Sequence, residues 1–134
     1  MECKEKISRA RNAGTVPEIF DDLSINLASL DELNYVKIYN GKILASNYLS
    51  DNGKKQPVTQ LGMKDIVGVE LLVDASSKVI QFFSLTSSIK GGGEKIVNAV
   101  FESIPNNWTA VVVMDSSGGF WQLMRQRYPT LIIM

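Results

Sequence analysis

The chain of 134 residues contains no histidine. That absence excludes Ser-His-Asp and Cys-His nucleophile systems, whose general base is an imidazole. With a single cysteine, Cys3, it also excludes zinc sites built from cysteine and histidine, and no intrachain disulfide can form. Any acid–base chemistry therefore falls to carboxylates, tyrosine, lysine, cysteine or ordered water. Excess charge is missing too. The 14 basic side chains balance the 14 acidic ones, which removes the electrostatic footprint of a nucleic-acid binder. No apolar run approaches the roughly twenty residues that a membrane helix needs. The charged start "MECKEKISRARN" does not read as a secretion signal. The expectation is a cytoplasmic protein with neither nucleic acid nor membrane as partner. Cys3 has no activating neighbourhood beyond Lys4 and is expected to be inert.

What is present is ordinary for a globular chain: 45% hydrophobic and 21% charged residues, enough for one real core. No repeat, low-complexity tract or long linker divides it, so residues 1–134 are expected to form a single domain. Residues 3–12 read as a polar helix ending near Gly14. In "TVPEIFDDLSINLASL", Thr15 and Glu18 fit a capping box, with Pro17 tolerated in the first turn. Ile19, Phe20, Leu23 and Leu27 then fall on one helical face. Residues 1–30 are thus expected to be helical.

The period changes at "NYVKIYNGKILASNYL". Alternation around Val36 and Ile38, followed by Asn40-Gly41, predicts a tight hairpin. "GVELLVDASSKVIQFFSLTSS" reads as two further strands joined around Ser76-Ser77-Lys78, so residues 34–86 are expected to be mostly antiparallel. Residues 94–104 carry Ile96, Val97, Val100, Phe101 and Ile104 on one helical face, and Pro105-Asn106-Asn107 ends that helix. "WTAVVVM" (108–114) reads as a strand buried on both faces. Asp115, Ser116 or Ser117 can cap a last helix with Phe120, Leu123 and Met124 inward, and Arg125 and Arg127 suit its C-terminal dipole. "TLIIM" is a final strand. The expected fold class is mixed α/β (α+β), with antiparallel strands first and a β-α-β-α-β part over residues 87–134.

The segment "SIKGGGEK" follows a strand and opens a helix. A helix start has unpaired N–H groups and a partial positive charge, so glycines there can let a backbone approach an anion, with Lys90 adding a point charge. The other reading is a loose turn. The run is neither a Walker loop nor a dinucleotide fingerprint.

The order of elements and this loop together resemble the GNAT superfamily of N-acetyltransferases. The family's loop pattern is Arg or Gln, two residues, Gly, one residue, then Gly or Ala. Ser88, Gly91 and Gly93 occupy those places; both glycine positions match and Ser88 departs. "EKIVNAVF" is similar to the family's helix, with Ile96 and Val97 at its apolar pair. "DSSGGFWQLMRQRYP" is similar to the family segment that carries a Phe-Tyr pair. Phe120 matches the first, and Trp121 stands where the tyrosine usually is. The resemblance covers residues 36–134 and, loosely, 1–30. No first strand is apparent, and one C-terminal strand stands where the family commonly has two.

The resemblance implies an acetyl-CoA-dependent N-acyltransferase in which the cofactor lies where two parallel strands splay apart. Its pyrophosphate would meet Gly91, Gly92, Gly93 and Glu94, with Lys90, Lys78 or Lys95 as helpers. Its pantetheine arm would run along Phe83, Leu85 and Thr86. An amine, from a small molecule or a protein, would be the acceptor. Trp121 cannot protonate a thiolate and Tyr128 lies at the far end of its helix. Glu70, on the preceding strand, is the candidate base, although an exposed strand carboxylate more often does no chemistry. A GNAT-like module without catalysis, acting in binding or regulation, and an unrelated α/β interaction domain are the alternatives. An open sheet edge invites pairing, so a homodimer is the expected assembly.

Overall fold

A computed structural model describes residues 6–11, 13–14, 17–50, 57, 65–87, 91–113 and 119–134. Their elements run β1 (Ile7–Arg9), α1 (Glu18–Ala28), β2 (Tyr35–Tyr39), β3 (Lys42–Ser46), β4 (Val67–Asp74), β5 (Val79–Ser87), α2 (Gly92–Ser103), β6 (Thr109–Val112), α3 (Phe120–Arg127) and β7 (Ile132–Ile133). The seven strands form one mixed sheet in sequence order. β2 to β5 are antiparallel neighbours, while β1 with β2, β5 with β6 and β6 with β7 are parallel.

Strand direction alone does not place the helices, because β1 and β2 run opposite to β5, β6 and β7. Their contacts put α1, α2 and α3 on one face of the sheet. Asn26 of α1 donates to the Ser103 hydroxyl of α2 at 2.8 Å, and Phe101 of α2 stacks on Tyr128 just past α3, with ring centroids 4.3 Å apart. The core lies between these helices and the strand residues that face them: Val36, Ile38, Ile43, Ala45, Val69, Leu71, Ile80, Phe82, Ala110 and Val112.

Local patterns explain most elements. The Asn40-Gly41 hairpin joins β2 and β3, with Tyr39 opposite Lys42. Ile19, Phe20, Leu23 and Leu27 are buried on α1, as the spacing predicts. Pro17 stands at the N-cap without a side-chain hydrogen bond, while Thr15 of the expected capping box lies outside the described residues.

Three expectations are corrected. Residues 7–9 are not helical: Ile7, Ser8 and Arg9 pair with Val36, Lys37 and Ile38, and Ala10 N–H donates to Ile38 C=O at 2.8 Å. This supplies the first strand that the sequence hides. β6 is not buried on both faces: Ala110 and Val112 are buried, while Thr109 and Val111 are half-buried, because the helices cover one face only. On α3 the inward residues are Trp121 and Met124, and Leu123 is 50% exposed. Trp121, Met124 and Tyr128 follow the three-and-four spacing of one helical face. Among the described residues no helix is long and apolar enough to cross a membrane.

Candidate functional site

The parallel ladder of β5 and β6 runs from Val79↔Thr109 to Phe82↔Val112 and stops where β6 ends. β5 continues beside β4 as far as Ser87, opposite Val67. A β-bulge follows the end of the ladder. Glu70 pairs with Ser84 and Leu71 with Phe82, which leaves Phe83 as the extra residue on β5. A bulge bends its strand and sharpens the twist. Phe83 is 58% exposed there, Leu85 is half-buried and Thr86 is buried.

β5 leads to α2. Gly91 is the N-cap, in a left-handed conformation with φ +83°, and no side chain caps this end. The first helical hydrogen bond described runs from Lys95 N–H to Gly91 C=O at 3.2 Å. By helix geometry the N–H groups of Gly92, Gly93 and Glu94 then have no intrahelical acceptor.

Each glycine of the run has its own steric reason. A Cβ on Gly91 would meet nothing within 4 Å, so only its positive φ selects glycine. A Cβ on Gly92 would come within 2.5 Å of Ser87 Oγ. On Gly93 it would lie 3.2 Å from Phe120 Cζ. Side chains at Gly92 and Gly93 would therefore press on Ser87 and Phe120, while among the described residues Gly91 faces open space.

The charges around this helix start are arranged in pairs. Glu94 forms an ion pair with Arg127 at the end of α3. Sequence reasoning gave Arg127 only a role in its own helix dipole, because its partner lies on another element. Lys95 donates to Glu32 at 2.6 Å, and this bond is the main cause that holds the Glu32 carboxyl below its usual range and raises Lys95. Lys78 is corrected as a helper. It sits in the turn before β5, at the opposite end of a nine-residue strand, roughly 30 Å from the helix start. Lys90, Ser88, Cys3, Asp115, Ser116 and Ser117 lie outside the described residues.

Glu70 lies on the sheet face opposite the helices, beside Ser84 on β5 and Leu44 on β3. Its side chain is 18% exposed, and its charged neighbour is Lys42, at 3.7 Å. Tyr39 shares this patch. Lys42 Nζ lies 5.2 Å from its ring centroid, and burial, then the Glu70 charge, pushes its phenol up. The Trp121 ring packs against Phe82 (4.9 Å) and Phe120 (5.0 Å). Tyr128 donates to Asn98 Oδ1 at 2.6 Å, on the flank of α2, and burial raises its phenol.

The structure thus gathers Phe83, Leu85, Thr86, Gly91, Gly92, Gly93 and Glu94 along the end of β5 and the start of α2. Glu70 stands one strand away. Among the described residues no cluster of three or more His, Cys, Asp or Glu could hold a metal ion. Comparison of the chain with protein-family models, with curated proteins and with solved structures returns no match.

Proposed function

We propose that the chain is an acetyl-CoA-dependent N-acyltransferase with a GNAT-like arrangement of its sheet. The observation that carries this reading is the end of the β5–β6 ladder at Phe82↔Val112, with a bulge at Phe83 and a glycine-started helix directly after β5. The C-terminal ends of parallel strands are where open α/β sheets take ligands. β1 stands first, as in the GNAT order, with one helix among the described residues before β2 where that family has two. β7 lies parallel to β6 and departs from the two-strand ending common in that family.

The residues present fit the cofactor. The open space at Gly91 and the N–H groups of the first turn of α2 suit a pyrophosphate. Glu94 would repel it, but Arg127 neutralises that carboxylate. Phe83 and Leu85 flank the path of a pantetheine arm. Bound acetyl-CoA would supply an activated acetyl thioester. The chain's own part is to hold the acceptor amine against it and to take a proton from that amine, a task within reach of Glu70.

One observation favours a second reading, a CoA-binding module without turnover. Trp121 is 6% exposed and packed on Phe82, so the family's tyrosine position offers no proton donor to a thiolate. Release of free thiol in the presence of amines separates the two readings.

The test of the cofactor site is calorimetric titration of CoA and acetyl-CoA into three proteins: wild type, Gly91→Asn and Gly91→Asp. Both substitutions tolerate the left-handed conformation. The neutral one should keep binding. The charged one should weaken it by about a hundredfold, from like-charge repulsion at contact distance. A wild-type protein that ignores millimolar CoA ends the proposal.

A further inference from the structure

β1 is the outermost strand of the sheet, and among the described residues it pairs with β2 alone. Ala10 N–H donates to Ile38 C=O at 2.8 Å, so the alternation of a strand turns the backbone of Ser8 toward β2 as well. The N–H and C=O groups of Ile7 and Arg9 then point away from β2. Side chains place α1 along this edge in the opposite direction. Lys6 donates to Leu30 C=O at 3.3 Å, and Arg9 donates to Asp21 at 3.0 Å. Beside these two ties lies a groove of about 430 Å³ that Ile7, Asp21, Ser24 and Ile25 line. Ile25 is 44% exposed there, while the other apolar side chains of α1 are buried.

A strand edge with an apolar groove beside it suits one kind of partner, an extended peptide that adds a strand. Main-chain hydrogen bonds to Ile7 and Arg9 would hold it, and every second side chain would point toward α1. Lys6 and Arg9 are three residues apart, roughly 10 Å, so one such side chain fits between the two ties. The groove selects the chemistry of that side chain. Ile7 and Ile25 favour an aliphatic group. A charged group would have to compete with the closed Arg9–Asp21 pair. Charged side chains commonly guard exposed edges. Here Lys6 and Arg9 are both turned to α1 instead.

We propose that β1 takes an extended, uncharged peptide segment as an added strand, with one aliphatic side chain seated between Ile7 and Ile25. The proposal does not rest on the transferase reading, because β1 stands four strands away from β5.

The test is binding, followed through the backbone amide shifts of Ile7, Arg9 and Ile25 by NMR in the full chain. The probes are capped pentapeptides of threonine with valine, leucine, alanine, aspartate or lysine at the centre. The valine and leucine peptides should act at about tenfold lower concentration than the alanine peptide, the worth of two buried carbons. The charged ones should act at higher concentration than either. Ile25→Lys should erase the preference for valine over alanine; Ile25 is half exposed, so the fold tolerates the change. N-methylation of the valine peptide separates an added strand from a seated side chain. Methylation at the central amide and at the next one should differ, because neighbouring amides of a strand point to opposite sides and one of them faces β1. Equal effects of the two methylations overturn the added strand. So does the absence of any shift with all five peptides, or a valine preference that survives in Ile25→Lys. A dimer by sedimentation that Ile25→Lys dissolves would assign the edge to a second copy of the chain and overturn the peptide as its occupant.

Discussion

Ser24 is fully buried in α1, and among the described residues its hydroxyl has no hydrogen-bond partner. It borders a groove of about 430 Å³ with Ile7, Asp21 and Ile25, but sits below that groove's surface. An unsatisfied buried hydroxyl costs stability that its removal returns. Alanine is also the better helix former. Ser24→Ala should therefore raise stability by about 1 kcal/mol in a urea melt. A loss of that size would mean that the hydroxyl is bonded in solution. Gly91 makes the opposite case. Its φ of +83° excludes most side chains although space is open, so Gly91→Ala should cost about 1–2 kcal/mol through backbone strain alone. Gly91→Asn should cost less in the same melt, because its short amide tolerates that conformation.

At the scale of elements, legibility followed distance along the chain. The Asn40-Gly41 hairpin and the α1 face could be read because turn chemistry and 3.6-residue spacing are local. β1 could not: its three residues are a strand only because β2 lies beside them, and their lysine and arginine neighbours read as a polar helix. The bulge at Phe83 left no mark either, since Phe82 and Phe83 look like one apolar run until β4 sets the register. The glycine run was legible as a helix start, while the packing of Gly92 on Ser87 and Gly93 on Phe120 was not. Ion pairs across elements were equally hidden. The Glu32–Lys95 pair ties the segment after α1 to the first turn of α2. Glu32 has a lowered folded-state pKa, so its contribution is complete above the ordinary glutamate range and is lost as pH falls through the lowered value. Lys95 is raised, so its contribution is complete at neutral pH and lost only in strong alkali. The stability gap between wild type and Lys95→Met should thus be full at neutral pH and close in acid. The gap will be small, as for exposed pairs generally. One that persists in strong acid would assign Lys95 a packing role instead.

At the scale of the molecule, one sheet carries the helices on a single face, and the candidate site lies at the end of β5 and the start of α2. The two segments of the proposed cofactor site, Phe83–Ser87 and Gly91–Lys95, belong to consecutive elements, the end of β5 and the start of α2. β1 and the outward face of α1 lie at the far side of the sheet. Bound cofactor should therefore slow amide exchange in those two segments and leave Ile7–Arg9 unchanged, because a ligand protects the backbone that it covers or holds shut. It should also raise thermal stability, by about 2.7 kcal/mol at a hundredfold excess over its dissociation constant. The assembly is a separate question. β7 pairs on one side only, with Ile132 45% exposed, and a homodimer through that edge predicts a dimer by sedimentation. If that dimer forms, β7 should gain protection with rising protein concentration, whereas the cofactor segments should respond to cofactor alone. Exchange that slows uniformly across all strands on adding CoA would signal general stabilisation and count against a site at the β5–α2 junction.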